Sequence, residues 1–126
     1  MFVALNPERH RGRAIGTGHC VPFVQHAAGA PHTSRWRQGP RVRGNNVPTG
    51  TVIATFGGNP PRYQNRTDGS SHAAILIIEE PNGLRVWDQW VGQPVHQRTL
   101  QFRGGSGRAS NDGDRFHVVV VAGEVT

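Results

Sequence analysis

Residues 71–90 read SHAAILIIEEPNGLRVWDQW. Two runs rich in β-branched and aromatic residues, Ser71–Ile78 and Leu84–Trp90, flank the segment EEPNG at 79–83. Its Asn-Gly pair is a strong tight-turn signal, so the stretch predicts a β-hairpin. Downstream, Arg98–Phe102 and Arg115–Val121 read as further strands, and upstream so does Thr51–Phe56. Cys20–Ala28 (CVPFVQHAA) reads as a short helix. Pro22 is tolerated in a first turn, where its missing N–H has no partner to lose, and Gly29 suits a C-cap. Residues 29–50 read as a turn-rich connection anchored by Trp36, and residues 1–18 as an irregular lead-in. One early helix followed by an antiparallel meander of five to six strands is an α+β pattern, expected here as one domain over residues 1–126.

Composition agrees. Val and Ile total 19 against 4 Leu. Branching at Cβ favours a pleated surface over a helix. The single cysteine, Cys20, excludes an internal disulfide framework and any zinc site built on paired cysteines. No metal or other cofactor is expected. No apolar run approaches the roughly 20 residues that span a bilayer, so membrane insertion is not expected. The start of the chain lacks a signal peptide's basic-then-apolar order, which points to synthesis in the cytoplasm without a secretory leader.

Charge is uneven. All 14 basic residues are Arg; residues 1–66 hold 9 of them with one acid, and residues 67–126 hold 5 with seven acids. The arginines lie on no helical stripe, and no zinc-finger or RRM pattern accompanies them, so nucleic acid is not the expected partner. The pair Asp112 and Asp114 reads as a turn held by side-chain-to-backbone bonds, since two carboxylates fall far short of a calcium loop.

Cys20 is the first candidate for chemistry, the alternative being a buried, inert cysteine that acts as a small hydrophobe. A helix N-terminus lowers a thiol pKa, and the same free N–H groups can hold an oxyanion. Gly16 and Gly18 would let a substrate backbone come close. Of seven histidines, His72 opens a buried strand beside the small Ala73 and Ala74, which leave room for a helix. Asp88 lies between Trp87 and Gln89 in the next strand, where a buried carboxylate needs a cationic partner. Pairing with an imidazolium would supply one. The opposing possibility is an exposed Asp88 bonded to an arginine.

The ordered set GTGHCV at 16–21, Trp36, GTVIATF at 50–56, HAAI at 72–75 and VWDQW at 86–90 resembles the papain-like cysteine amidases of CHAP or NlpC type. Within that group it most resembles small single-domain proteins related to type VI secretion amidase effectors, with similarity over about residues 12–121. The resemblance implies a compact papain-like fold, with Cys20 as nucleophile, His72 as general base and Asp88 as the third member. His19 stands where CHAP-type proteins usually carry Gln. It is a candidate oxyanion donor and also a competing base. Gly18, Gln89, Trp36 and Trp90 are weaker oxyanion or substrate-binding candidates. Arg35, Arg37, Arg62 and Arg66 are candidates to meet substrate carboxylates. The implied substrate is a peptidoglycan stem peptide or cross-link, reached in the periplasm of a target cell after contact-dependent delivery, with a cognate immunity protein as partner. Two other readings use the same scaffold: a non-catalytic binding module, and a deamidase or transglutaminase-like toxin acting on a protein.

Overall fold

The computed structural model describes residues 1–124. One α-helix, α1 (Cys20–Ala28), precedes a six-stranded sheet built from β1 (Trp36–Arg41), β2 (Val52–Thr55), β3 (Ala73–Glu80), β4 (Gly83–Trp90), β5 (Gln93–Gln101) and β6 (Phe116–Val121). Every pairing is antiparallel, in the spatial order β1-β6-β2-β3-β4-β5. The α+β expectation is met, and α1 spans the expected residues.

Three details differ from the sequence reading. The expected meander runs through β2-β3-β4-β5, but β6 does not extend it: it returns to lie between β1 and β2. Three consecutive buried valines, Val118, Val119 and Val120, present apolar surface to both faces and suit an interior strand. Second, the supposed connection at 29–50 contains β1, and β5 begins five residues earlier than expected. Third, the hairpin turn is centred on Pro81 and Asn82, because Glu80 pairs with Gly83. Gly83 opens β4 for a packing reason. A Cβ there would lie 2.5 Å from the Leu100 carbonyl oxygen and 2.7 Å from Thr99.

Alternate residues sort onto the two faces. Phe23 and Val24 of α1 pack with Val52, Ala73, Ile75 and Trp87. Ile53, Ala74, Leu76, Val86 and Leu100 face the other way, covered by Val42, Phe102 and Phe116. This period of two fixes register, since a one-residue slip would exchange the faces. The helix ends as expected: Gly29 adopts φ 70° and its N–H bonds the Gln25 carbonyl at 2.9 Å. Among the described residues no helix is long and apolar enough to cross a membrane.

Candidate active site

α1 presents Cys20 as its first residue, with His19 at the N-cap making no side-chain capping bond. The first N–H groups of a helix have no intrahelical acceptor, so they face whatever approaches the sulfur. The position of that helix end is set by Gln89 of β4. Its Oε1 accepts from the Ile15 N–H at 2.9 Å, while Nε2 donates to the carbonyls of Ile15 at 2.8 Å and His19 at 2.7 Å. Gln89 is fully buried and its amide is spent on backbone, so it anchors the segment before the nucleophile candidate and does not line the cavity there. Gly18 (φ 88°) is buried in the same turn, and Gly16 is needed for packing, since a Cβ would lie 2.8 Å from Pro22.

His72 is held at the mouth of β3. Its N–H donates to Thr55 Oγ1 at 3.0 Å, and its Nε2 donates to Asp88 Oδ2 at 2.7 Å. Because Nε2 is taken, Nδ1 is the nitrogen left for Cys20. Asp88 is sealed from solvent, and the same Oδ2 accepts from Arg98 Nε at 2.7 Å. The β4–β5 register explains this convergence: Asp88 stands opposite His96, and Arg98 is two residues further along β5, within diagonal reach. Asp88 Oδ1 lies 2.9 Å from His96 Nε2, but the alignment is too poor for a hydrogen bond. Asp88 thus bonds both an arginine and a histidine, and does so buried.

The electrostatics follow from these contacts. Burial pushes the Asp88 carboxyl up, but the bonds from His72 and Arg98 outweigh it and hold the pKa below the usual carboxylate range. Burial alone would depress His72. Its bonds to Asp88 and Cys20 win, pushing its pKa up to about 9. At Cys20 burial raises the pKa, and the neighbouring imidazolium, the Tyr63 hydroxyl and the Ala73 backbone together lower it below that of an ordinary thiol. These opposed shifts favour a thiolate beside an imidazolium.

Tyr63 was not singled out by sequence. Its hydroxyl lies 3.5 Å from Cys20 Sγ, and its buried ring packs tilted on Trp36 at 4.9 Å between centroids. Burial and the adjacent sulfur raise its own pKa, which keeps it a donor. Trp36 in turn is fully buried, donates Nε1–H to the Pro31 carbonyl at 2.9 Å, and supports the tyrosine without touching the cavities. The one signal for Tyr63 was its being the only tyrosine in the chain, set in a polar loop.

Two grooves meet at the sulfur. One of about 400 Å³ is lined by Cys20, His72, Trp90, Arg66, Arg98 and Arg108, among others. The other, about 380 Å³, is lined by Cys20, Tyr63, Pro22, Gln25 and His32 among others. His19 lines both. Arg35, Arg37 and Arg62 line neither, whereas Arg98 and Arg108 are additions to the expected set. Asp112 behaves as expected, accepting from the N–H groups of Arg103, Gly105 and Asp114 at 2.7–2.9 Å.

A cysteine at the start of a helix, packed against an antiparallel sheet that brings a histidine and a buried carboxylate to it, is the arrangement of the papain-like fold in its compact NlpC-type form. The chain belongs to the domesticated amidase effector 2 family, whose pattern it matches over residues 2–119. It is 34% identical over 119 residues to a type VI secretion amidase effector 2 protein of Salmonella typhi, covering 83% of this chain and 87% of that protein. It is 30% identical over 122 residues to domesticated amidase effector 2 of Ixodes scapularis, covering 90% and 81%. The solved structure of a type 6 secretion amidase effector 2 superposes with a TM-score of 0.79 at 30% identity, covering 94% of each chain.

Proposed function

We propose that the protein is a cysteine amidase that cuts an amide bond in a peptidoglycan stem peptide or cross-link, with Cys20 as nucleophile, His72 as general base and acid, and Asp88 as the group that orients His72. The observation that carries this reading is the 2.7 Å bond from His72 Nε2 to a carboxylate shut off from water, which leaves Nδ1 facing Cys20. The names of its relatives supply the amidase class.

The thiolate attacks the amide carbonyl, and the carbonyl oxygen takes the negative charge. The Cys20 N–H at the open helix end is positioned to donate to it, with the Tyr63 hydroxyl close by. The His72 imidazolium protonates the leaving amine, leaving a thioester on Cys20. Water, deprotonated by the now neutral His72, attacks the thioester, and the thiolate departs. Asp88 keeps the ring in the tautomer and orientation that both proton transfers need. Delivery into a rival cell's periplasm by a contact-dependent secretion system, and inhibition by an immunity protein in the producer, belong to the same reading.

Purified peptidoglycan digested with the protein and resolved as muropeptides tests it. New peptide fragments are expected with the native chain and none with Cys20→Ala. Unchanged muropeptides with both proteins would exclude the amidase reading. An effect on bacteria that survives Cys20→Ala would favour a binding module, and deamidated protein without muropeptide products would favour the toxin reading.

A further inference from the structure

We propose that Arg108, together with Arg66 where the two grooves join, forms a carboxylate-binding subsite on the leaving-group side of Cys20, selecting substrates whose amine-donating residue carries a free carboxylate close to the scissile bond. The inference rests on the amidase reading and adds the substrate feature that the site selects.

The direction of the substrate follows from the proton. His72 lines the 400 Å³ groove and not the one on the Tyr63 side. The leaving amine must lie within reach of the imidazolium that protonates it, so the amine half of the substrate occupies the His72 groove. The acyl half then extends past Tyr63.

That groove is lined by three arginines and by no acidic residue. Arg98 is committed: Nε bonds Asp88, one terminal nitrogen bonds Asn111 Oδ1 at 2.9 Å, and its guanidinium lies 4.9 Å over the Trp90 ring. Among the described residues the guanidinium groups of Arg66 and Arg108 have no hydrogen-bonded or ionic partner. Asp68, the nearest acid in sequence, is exposed; it accepts from the Ser70 N–H at 3.0 Å and feels the Arg66 charge without forming an ion pair with it. Arg108 is nevertheless seated. Its stem crosses Gly69, where a Cβ would come within 2.7 Å of Arg108 Cδ, and Gly69 has φ 89°, a conformation that favours glycine. Ser71 lines the same groove, and its buried Oγ has no hydrogen-bond partner. Two forked cations and a free hydroxyl match a carboxylate, which accepts bidentate bonds from guanidinium.

The test uses two synthetic peptides containing the scissile amide, identical except that the amine-donating residue bears a carboxylate or a carboxamide. Calorimetry with the Cys20→Ala protein reads binding without turnover. The carboxylate peptide is expected to bind at least about tenfold more tightly. The further change Arg66→Gln with Arg108→Gln should erase that preference by weakening the carboxylate peptide alone. With Cys20 present, kcat/KM should follow the same pattern, chiefly through KM. Equal binding of the two peptides, no binding of either, or equal weakening of both by the double change overturns the subsite. If the native chain cleaves both peptides alike, the subsite fails and the amidase reading stands. If it cleaves neither while Cys20→Ala still discriminates, the amidase reading fails and the carboxylate site stands.

Discussion

Asp88 accepts a 2.7 Å bond from His72 Nε2 while having no contact with solvent. A carboxylate so placed is stabilised by its cationic neighbours, and the carboxylate in turn fixes Nε2 of the base candidate. Stability and chemistry are joined at this bond.

Replacing Asp88 separates them. Asp88→Ala strands Arg98 and frees His72, and breaking a buried ion pair costs about 3–5 kcal/mol. Chemical denaturation should register that loss. Asp88→Asn preserves shape, so it should keep much of the stability while lowering kcat by about a hundredfold or more through loss of the tautomer control. Equal activity of Asp88→Asn and the native chain would remove Asp88 from the mechanism.

The pH dependence has two sides. His72, raised to about 9, contributes stability that is fully present below its unfolded pKa of roughly 6.5 and is lost as pH rises through about 9. Cys20 and Asp88 are lowered, so their contributions are present above their unfolded pKa values and fade as pH falls through the folded ones. Turnover should therefore fall on its alkaline side near pH 9. Alkylation of Cys20 by iodoacetamide should already be rapid at neutral pH. His72→Ala should move that alkylation profile up toward an ordinary thiol value of roughly 8.5.

Tyr63→Phe keeps the ring on Trp36 and removes only the hydroxyl. The midpoint of thermal unfolding should move little. The alkylation profile of Cys20 should shift upward, because one of the donors that stabilise the thiolate is gone, and kcat should drop about tenfold or more. A change in unfolding with no change in either profile would make the tyrosine purely structural.

Gln89→Ala leaves the Ile15 N–H without its acceptor and takes one donor from the carbonyls of Ile15 and His19, the former keeping the Gly18 N–H at 3.0 Å. At about 1–3 kcal/mol for a donor left unpaired, the cost should exceed that of an ordinary surface change. Gly83→Ala, which forces a Cβ against the Leu100 carbonyl, serves as a comparison with a similar loss far from the sulfur. Gln89→Ala should lower kcat far more than Gly83→Ala at matched stability.

The helix and the hairpin were legible because their signals are local. Pro22 and Gly29 bracket α1, and the apolar runs of β3 and β4 are nearly continuous. Cys20, His72 and Asp88 stood out because each sits at an element end or in a strand that resists its side chain. β1 was hidden for a physical reason. It is an edge strand with sequence WRQGPR, where Gly39 accommodates the Val118 carbonyl 2.5 Å from where its Cβ would lie, and the register shifts between Gln38 and Arg41. The early part of β5 was hidden likewise by Pro94 on the opposite edge. Tyr63 and Arg108 lie in loops, and their neighbours come from distant segments, which no local pattern encodes.

Those two prolines have another effect. Pro40 and Pro94 each remove an N–H from an outer strand, and the lead-in further occupies β5 through Gly12 and Arg13, whose backbones bond Val95 at 2.8 and 2.9 Å. Neither margin offers the unbroken ladder that another chain needs for strand addition. The sheet is finite at both borders, and its outer strands are poor templates for a further strand from a second molecule.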